Sequence, residues 1–331
     1  METVEARSGP YNKERAEVTI ERIPIADDRE EWRTLRRKHV TASILAALPT
    51  FRCHPYRTPL SVYMEKRGVE FPERDNKVMR RGRIFEPAVP KAVSEERPQW
   101  HLEEVGAYYC DFQARTGASP DYFIFGDSRG RGVLQCKTLN RDAYEEDWLN
   151  GTMAPAWVVL QVRLETMMTE AAFGVIAGLT VESYDPQLAL IEVPRDAVAE
   201  REIEKAIQDF WHDVDAGKEP DPVFGTDTDL IRKLTGREES GLTFDGRLRN
   251  DLPDMLEQRA LLKARMKRDE ARCTEIDDEI RFTMGAAESV VGLRNWGITY
   301  RTRTVSGYTV ETKTRRQLDI RDKRPKEERP Q

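Results

Sequence analysis

The sequence predicts an α/β (α+β) protein: a central mixed sheet flanked by helices, extended at the C-terminus by a long helix and a β-hairpin. Three stretches carry that prediction. Ser119–Lys137 (SPDYFIFGDSRGRGVLQCK) holds an apolar run, a Gly-rich polar turn and a second apolar run, the signature of a hairpin. Pro155–Met168 (PAWVVLQVRLETMM) reads as a buried helix, and 171–180 and 188–193 follow it as core strands. Asp251–Met284 is long, charged and helical, and Gly297–Lys313 alternates around Ser306-Gly307 as a terminal hairpin does.

Taken in order, residues 1–28 form a polar, unpatterned N-terminal arm. Arg29–Leu48 begins as an amphipathic helix with Trp32 and Leu35 on one side and Arg33, Arg36 and Arg37 elsewhere. Thr41 and Ser43 precede the apolar run Ile44–Leu48, so either hydroxyl suits the N-cap of a second helix. The alternative for Ser43 is contact with a phosphate, since free N–H groups at a helix start favour an anion. A loop at 49–58 leads to a short helix over Leu60–Arg67, stopped at Gly68. Asn76–Val93 is helical up to Pro87, where the helix must break or restart, and Gly82 and Glu86 share a face there. Strands are expected at Leu102–Tyr109, Tyr122–Phe125 and Val133–Lys137, and Tyr63 and Met64 read as core. In the buried helix Gln161 stands out as the lone polar residue. An amphipathic helix over Arg195–Val214 completes a core at 29–215. An acidic, Gly- and Pro-bearing linker at 216–243 separates it from the extension, 244–331. The apolar spacing of Asp251–Met284 is too uneven for a heptad seam, which favours a helix packed on its own chain. The final RDKRPKEERPQ has the composition of a disordered tail.

Composition narrows the function. With 331 residues, 39% hydrophobic and 34% charged, the chain has the make-up of a polar globular protein long enough for one large core. No run reaches the length of a membrane span and the N-terminus lacks an apolar signal region, so the expectation is a cytoplasmic protein without a membrane partner. Cys53, Cys110, Cys136 and Cys273 are far apart, without zinc spacing, and read as reduced thiols. The net charge of −6 is uneven: Arg33–Arg83 carries 13 Lys/Arg against 4 Asp/Glu, or +9, and the remainder carries −15. A polyanion would therefore be met on one surface alone. Lys66, Lys77 and Arg80 belong to that basic segment, where solvated charge is the default, and His54 reads as a polar loop residue.

The hairpin carries the candidate chemistry. Strand side chains alternate, so Gln135 and Lys137 point one way and Cys136 the other. With Asp121 beside them, a carboxylate, an amide oxygen and an ammonium share one small area. That set suits hydrated Mg²⁺, which takes one or two carboxylates plus waters and substrate phosphate.

Five motifs occur in the order found in the lambda-exonuclease/YqaJ-like viral recombinase family of PD-(D/E)xK nucleases. WRTLRRKHVTAS (Trp32–Ser43) resembles the family's opening motif, RGRIFEP (Arg81–Pro87) its Gly-x-x-x-Glu helix, SPD (Ser119–Asp121) and QCK (Gln135–Lys137) its hairpin core, and LQVRLETMM (Leu160–Met168) its Gln-bearing helix. The resemblance covers about residues 29–215 and implies a restriction-endonuclease-like fold. It implies Glu86, Asp121, Gln135 and the Cys136 backbone carbonyl as ligands of Mg²⁺ or Mn²⁺, Lys137 as the group acting on the attacking water, and Gln161 as a helper. It further implies that Arg36 and Ser43, with Ser119 assisting, hold the 5′-phosphate of a DNA end. Gln135 is the departure, standing where the family usually has Asp or Glu.

The implied activity is 5′-to-3′ digestion of one strand of linear duplex DNA in phage-type recombination, inside the bacterial host cell. The implied partners are duplex DNA ends, a single-strand annealing protein, and further copies of the chain in a homo-oligomer that is often a ring. Two other readings stand beside it: a RecB-like or structure-specific nuclease, and a catalytically weakened DNA-binding or assembly protein, for which Gln135 is the support.

Overall fold

The computed structural model describes residues 19–25, 29–69, 77–181, 185–237, 240–293 and 296–302. The chain falls into two compact units, residues 1–231 and 232–331. In chain order the elements are β1 (Glu21–Pro24), α1 (Arg29–Arg37), β2 (Val40–Thr41), a 3₁₀ turn (Ala42–Ala47), α2 (Pro59–Lys66), α3 (Lys77–Phe85), α4 (Ala88–Glu96), β3 (His101–Glu104), β4 (Ala107–Asp111) and β5 (Thr116–Ala118). They continue with β6 (Tyr122–Phe125), β7 (Gly132–Leu139), α5 (Ala156–Thr169), β8 (Phe173–Thr180), β9 (Leu188–Pro194), α6 (Ala197–Asp215), α7 (Thr228–Leu234), α8 (Leu252–Met284), β10 (Ser289–Val290) and β11 (Ile298–Thr299).

The mixed α+β architecture is as predicted. Five strands in the order β3-β6-β7-β8-β9 form the central sheet. Only β7 and β8 run parallel; the other neighbours are antiparallel. A second sheet, β1-β4-β5-β2, lies in the same unit. The predicted hairpin is β6–β7, with Phe123 opposite Val133 and Tyr122 opposite Leu134.

Alternation along β7 sends Leu134 and Cys136 to one face of the sheet, against Val89 and Val93 of α4. The other face, with Ile176 of β8, receives Val158 and Val162 of α5. Leu164 and Met168, on the far side of α5, pack with the 3₁₀ turn, α2 and α6. α5 is thus buried on both sides, which explains its nearly continuous apolar sequence. Its approach to the sheet is close, because a Cβ on Gly174 would overlap Val162 Cγ1.

The structure differs from the sequence-based expectation at four places. The single strand expected over Leu102–Tyr109 is two: Gly106, at φ +52°, turns the chain so that β3 joins the central sheet and β4 the second one. Glu21–Pro24, inside the unpatterned arm, pairs with β4, because an edge strand can be recruited by backbone bonds alone. The helix expected after Ser43 is a 3₁₀ turn of six residues whose N-cap, Thr41, makes no side-chain cap. Lys66 is buried and ion-paired with Glu65 at 2.9 Å, so it is no solvated surface charge. Within the second unit, Met255, Leu262, Met266 and Ile276 of α8 are exposed. Pro87 does restart the helix between α3 and α4, and Tyr63 and Met64 are core. The hairpin around Ser306-Gly307 and the tail lie outside the described residues.

Candidate active site

Asp121 sits at the entry to β6, where Pro120 keeps the preceding chain extended. Its Oδ2 accepts the Cys136 backbone N–H at 2.7 Å and the Gln135 side-chain N–H at 2.6 Å. Burial pushes this carboxyl up to about 6; Glu86 adds to the rise, while Lys137, the Cys136 N–H and Gln135 oppose it. Lys137, on the same face of β7 as Gln135, donates to Gln161 Oε1 at 3.1 Å and lies 5.4 Å from the Trp157 ring centre. Asp121, Gln135, Lys137 and Gln161 therefore converge, from the hairpin on one side and α5 on the other.

Glu86 follows α3, held by its own N–H to Gly82 O at 2.8 Å. Its side chain is exposed, yet its charge reaches Asp121, Cys136 and Tyr122. Gly82 faces β7: a Cβ there would lie 3.9 Å from Thr138 Oγ1.

Sequence reasoning missed Glu165. Gln161 is not the lone polar residue of α5, because Glu165 is 1% exposed and accepts from Gln161 Nε2 at 2.9 Å. The four-residue spacing that puts both on one helix face was available as a signal. Two acceptors in this network have no hydrogen-bond partner, Gln135 Oε1 and Glu165 Oε2. A buried acceptor left bare costs about 1–3 kcal/mol, so each requires a reason.

A second polar cluster surrounds Arg36. Its Nη2 donates to Ser43 Oγ at 2.8 Å and Thr41 Oγ1 at 3.4 Å, and its guanidinium lies 5.4 Å from the Trp32 ring centre. Burial lowers the pKa of Arg36, with Tyr108 and Glu65 countering it. Glu65 bonds Lys66 at 2.9 Å and Arg57 at 2.6 Å, and Lys66 also donates to Arg36 O at 3.1 Å. Thr41, considered from sequence only as a cap, is a member of this cluster. Ser119 is not: its hydroxyl donates to Ala107 O at 3.3 Å and makes no described bond to Arg36 or Ser43.

His54 connects the two clusters instead of lying as a plain loop residue. Its Nδ1 accepts the Tyr56 N–H at 3.0 Å, and its ring centre is 5.7 Å from that of Trp157. Burial first, then Arg57 and Lys137, hold its pKa down at about 4, so it is neutral at pH 7. A separate cleft of about 480 Å³, lined by Arg37, Lys38, His39, Lys66, Arg115 and Trp211 among others, contains none of the Asp121 network.

Among the described residues no group of three or more His, Cys, Asp or Glu is placed to hold a metal ion by itself. What the structure offers is an open, oxygen-only set: the Asp121 carboxylate, the bare Gln135 Oε1 beside it, and Glu86, whose charge reaches Asp121. Such donors fit a hard cation that keeps several waters, Mg²⁺ or Mn²⁺, and do not fit zinc, which favours nitrogen and sulfur.

Residues 31–172 match the model of the YqaJ-like viral recombinase domain. This is the family that the order of the motifs resembles. No curated protein matches. Among solved structures, the chain is similar to an alkaline exonuclease from Laribacter hongkongensis at 23% identity and a TM-score of 0.46, over 62% of this chain and 97% of that one. The same protein in complex with dAMP matches at 20% identity and 0.44, again over 62% and 97%. A phage-related exonuclease from Haemophilus somnus 129PT matches at 13% and 0.34, over 54% and 96%.

Proposed function

We propose that this chain is a divalent-metal-dependent deoxyribonuclease that digests one strand of linear duplex DNA from its 5′ end. The observation that carries the reading is the convergence of Asp121, Gln135 and Lys137 on one side of the hairpin with Gln161 of α5 across from them. Asp121, Glu86, the Gln135 amide oxygen and the Cys136 carbonyl are the groups that would hold Mg²⁺ or Mn²⁺. A bound cation of this kind polarises a phosphate and makes its water a stronger nucleophile at neutral pH.

The protein's own part is positioning. Gln161 and the Trp157 face restrain the Lys137 ammonium, which then donates to the attacking water or to a non-bridging phosphate oxygen as charge builds there. Asp121, fixed by the Cys136 N–H, keeps its second carboxylate oxygen available to a ligand. Arg36, Thr41 and Ser43 offer a guanidinium and two hydroxyls to a terminal 5′-phosphate, which an arginine can grip with two parallel N–H donors. His54, between this cluster and Trp157, supports placing the terminal phosphate and the scissile one in a single site. By the resemblance, the setting is phage-type recombination in the host cytoplasm, with a single-strand annealing protein as partner and a homo-oligomer, often ring-shaped, as the working form.

The test is digestion of an end-labelled linear duplex in Mg²⁺ or Mn²⁺, with 5′-phosphoryl and 5′-hydroxyl ends compared. Release of 5′ nucleotides, faster from phosphorylated ends and lost in Asp121→Ala, supports the proposal. DNA binding with no cleavage in either metal would leave the weakened DNA-binding reading. Cleavage of single strands or junctions, blind to the 5′ group, would move the chain to another nuclease class.

A further inference from the structure

Position 135 holds an amide where a carboxylate is usual, which leaves the oxygen-donor set one negative charge short. The fold contains a carboxylate able to make up that deficit. α5 connects β7 to β8, and these two strands are parallel, so α5 must run antiparallel to both. Moving along α5 from Gln161 to Glu165 is therefore moving back along β7 from Lys137 towards Gln135. The steps match: one helical turn rises about 5.4 Å, and two strand residues span about 6.6 Å. The Gln161–Lys137 hydrogen bond sets the starting rung. One rung further, Glu165 comes level with Gln135.

Two bare acceptors lie at that level. Glu165 is 1% exposed and Gln135 is 4% exposed, and Glu165 Oε2 and Gln135 Oε1 both lack a hydrogen-bond partner. After burial itself, Asp121 is the charge that most disfavours ionisation of Glu165. Two carboxyl groups and an amide oxygen brought together out of water repel each other unless a proton or a cation lies between them.

We propose that Glu165 is an additional carboxylate ligand of the divalent cation, supplying from α5 the charge that Gln135 withholds on β7. This rests on the metal-dependent reading above and goes beyond the ligand set carried over from the motifs. Glu165 then has two tasks: Oε1 orients Gln161, and through it Lys137, while Oε2 turns to the cation.

The test reads metal binding and not turnover. Mn²⁺ is titrated into the full chain without DNA, by calorimetry and by the loss of free-ion paramagnetic resonance signal. Wild type, Glu165→Gln, Glu165→Asp and the double variant Glu165→Gln/Gln135→Glu are compared, with melting temperatures in EDTA as the folding control. Glu165→Gln should weaken Mn²⁺ binding about tenfold or more, since affinity follows ligand charge count. The double variant should recover most of that loss by moving the carboxylate to the strand, and Glu165→Asp should fall between. Equal Mn²⁺ affinity in wild type and Glu165→Gln would overturn the role of Glu165 and leave the nuclease reading standing. Should Glu165→Gln fail to fold, Glu165→Asp decides: unchanged affinity with the carboxylate drawn back by one methylene overturns the proposal. No Mn²⁺ binding by wild type would remove the metal-dependent reading and Glu165 with it.

Discussion

The Asp121 network and the Arg36 cluster are both polar, both largely buried, and opposite in what they lack. Around Asp121 the unmet groups are acceptors: Gln135 Oε1, Glu165 Oε2 and a carboxyl pushed up to about 6 by burial. Around Arg36 a buried guanidinium is met by neutral hydroxyls, while Glu65 is engaged by Lys66 and Arg57. One site is short of a cation and the other of an anion. A metal-bound phosphodiester with a terminal phosphate nearby, as proposed, would supply both. Neither region would show this by its net charge; the unpaired atoms reveal it.

That contrast can be broken first at the acceptor side. Asp121→Ala should lower DNA cleavage by about three decades or more, because it removes a metal ligand worth several kcal/mol in the transition state. Gel-resolved digestion rates with saturating DNA measure it, and residual cleavage near the wild-type rate would refute the site. Lys137→Ala should cost about 10²–10³ in rate, the value of one donor aimed at developing charge. Metal binding should survive this second change, which separates a donor from a ligand. If Lys137→Ala instead abolishes Mn²⁺ binding, the lysine is holding the site together and not acting in it.

On the donor side the effect is smaller and selective. Arg36→Ala should erase the preference for 5′-phosphoryl over 5′-hydroxyl ends, a change of about 10- to 100-fold for a hydrogen bond between charged groups. Rates on 5′-hydroxyl ends should barely move; equal losses on both ends would mean that Arg36 serves the fold alone. The smallest effect is on stability. Burial raises the pKa of Glu65, but Lys66 and Arg57 outweigh it and hold the group at about 2, below its ordinary 4.5. A depressed folded pKa means the stabilisation is complete above about 4.5 and is lost as pH falls towards 2. The melting-temperature gap between wild type and Glu65→Gln should close over that window, and a gap independent of pH would count against the ion pairs.

Much of this arrangement is legible along the chain. Gln135 and Lys137 share a face because strand side chains alternate, and their separation from Cys136 is seen in the packing of Cys136 with Leu134 against α4. α5 could be read from its unbroken apolar run. Glu165 could have been read too, one helical turn from Gln161, but a single charged letter in an apolar helix resembles an exposed edge until burial is known. Thr41 and Ser43 illustrate the opposite case. Their sequence suits a capped helix, and a tight 3₁₀ turn forms instead, which leaves both hydroxyls to Arg36. The β3–β4 break depends on Gly106, whose positive φ no apolar pattern announces.

The sequence by itself determined the residue types of the site, the hairpin and helix that carry them, and the basic segment from Arg33 to Arg83. These depend on local periodicity, turn chemistry and composition, which act over a few residues. Only the tertiary structure decided that Glu165 is buried and bonded to Gln161, that the His54 ring lies beside Trp157, and that Lys66 is buried. Those facts depend on the direction of α5 across two parallel strands and on burial, and neither is a property of any short stretch of chain.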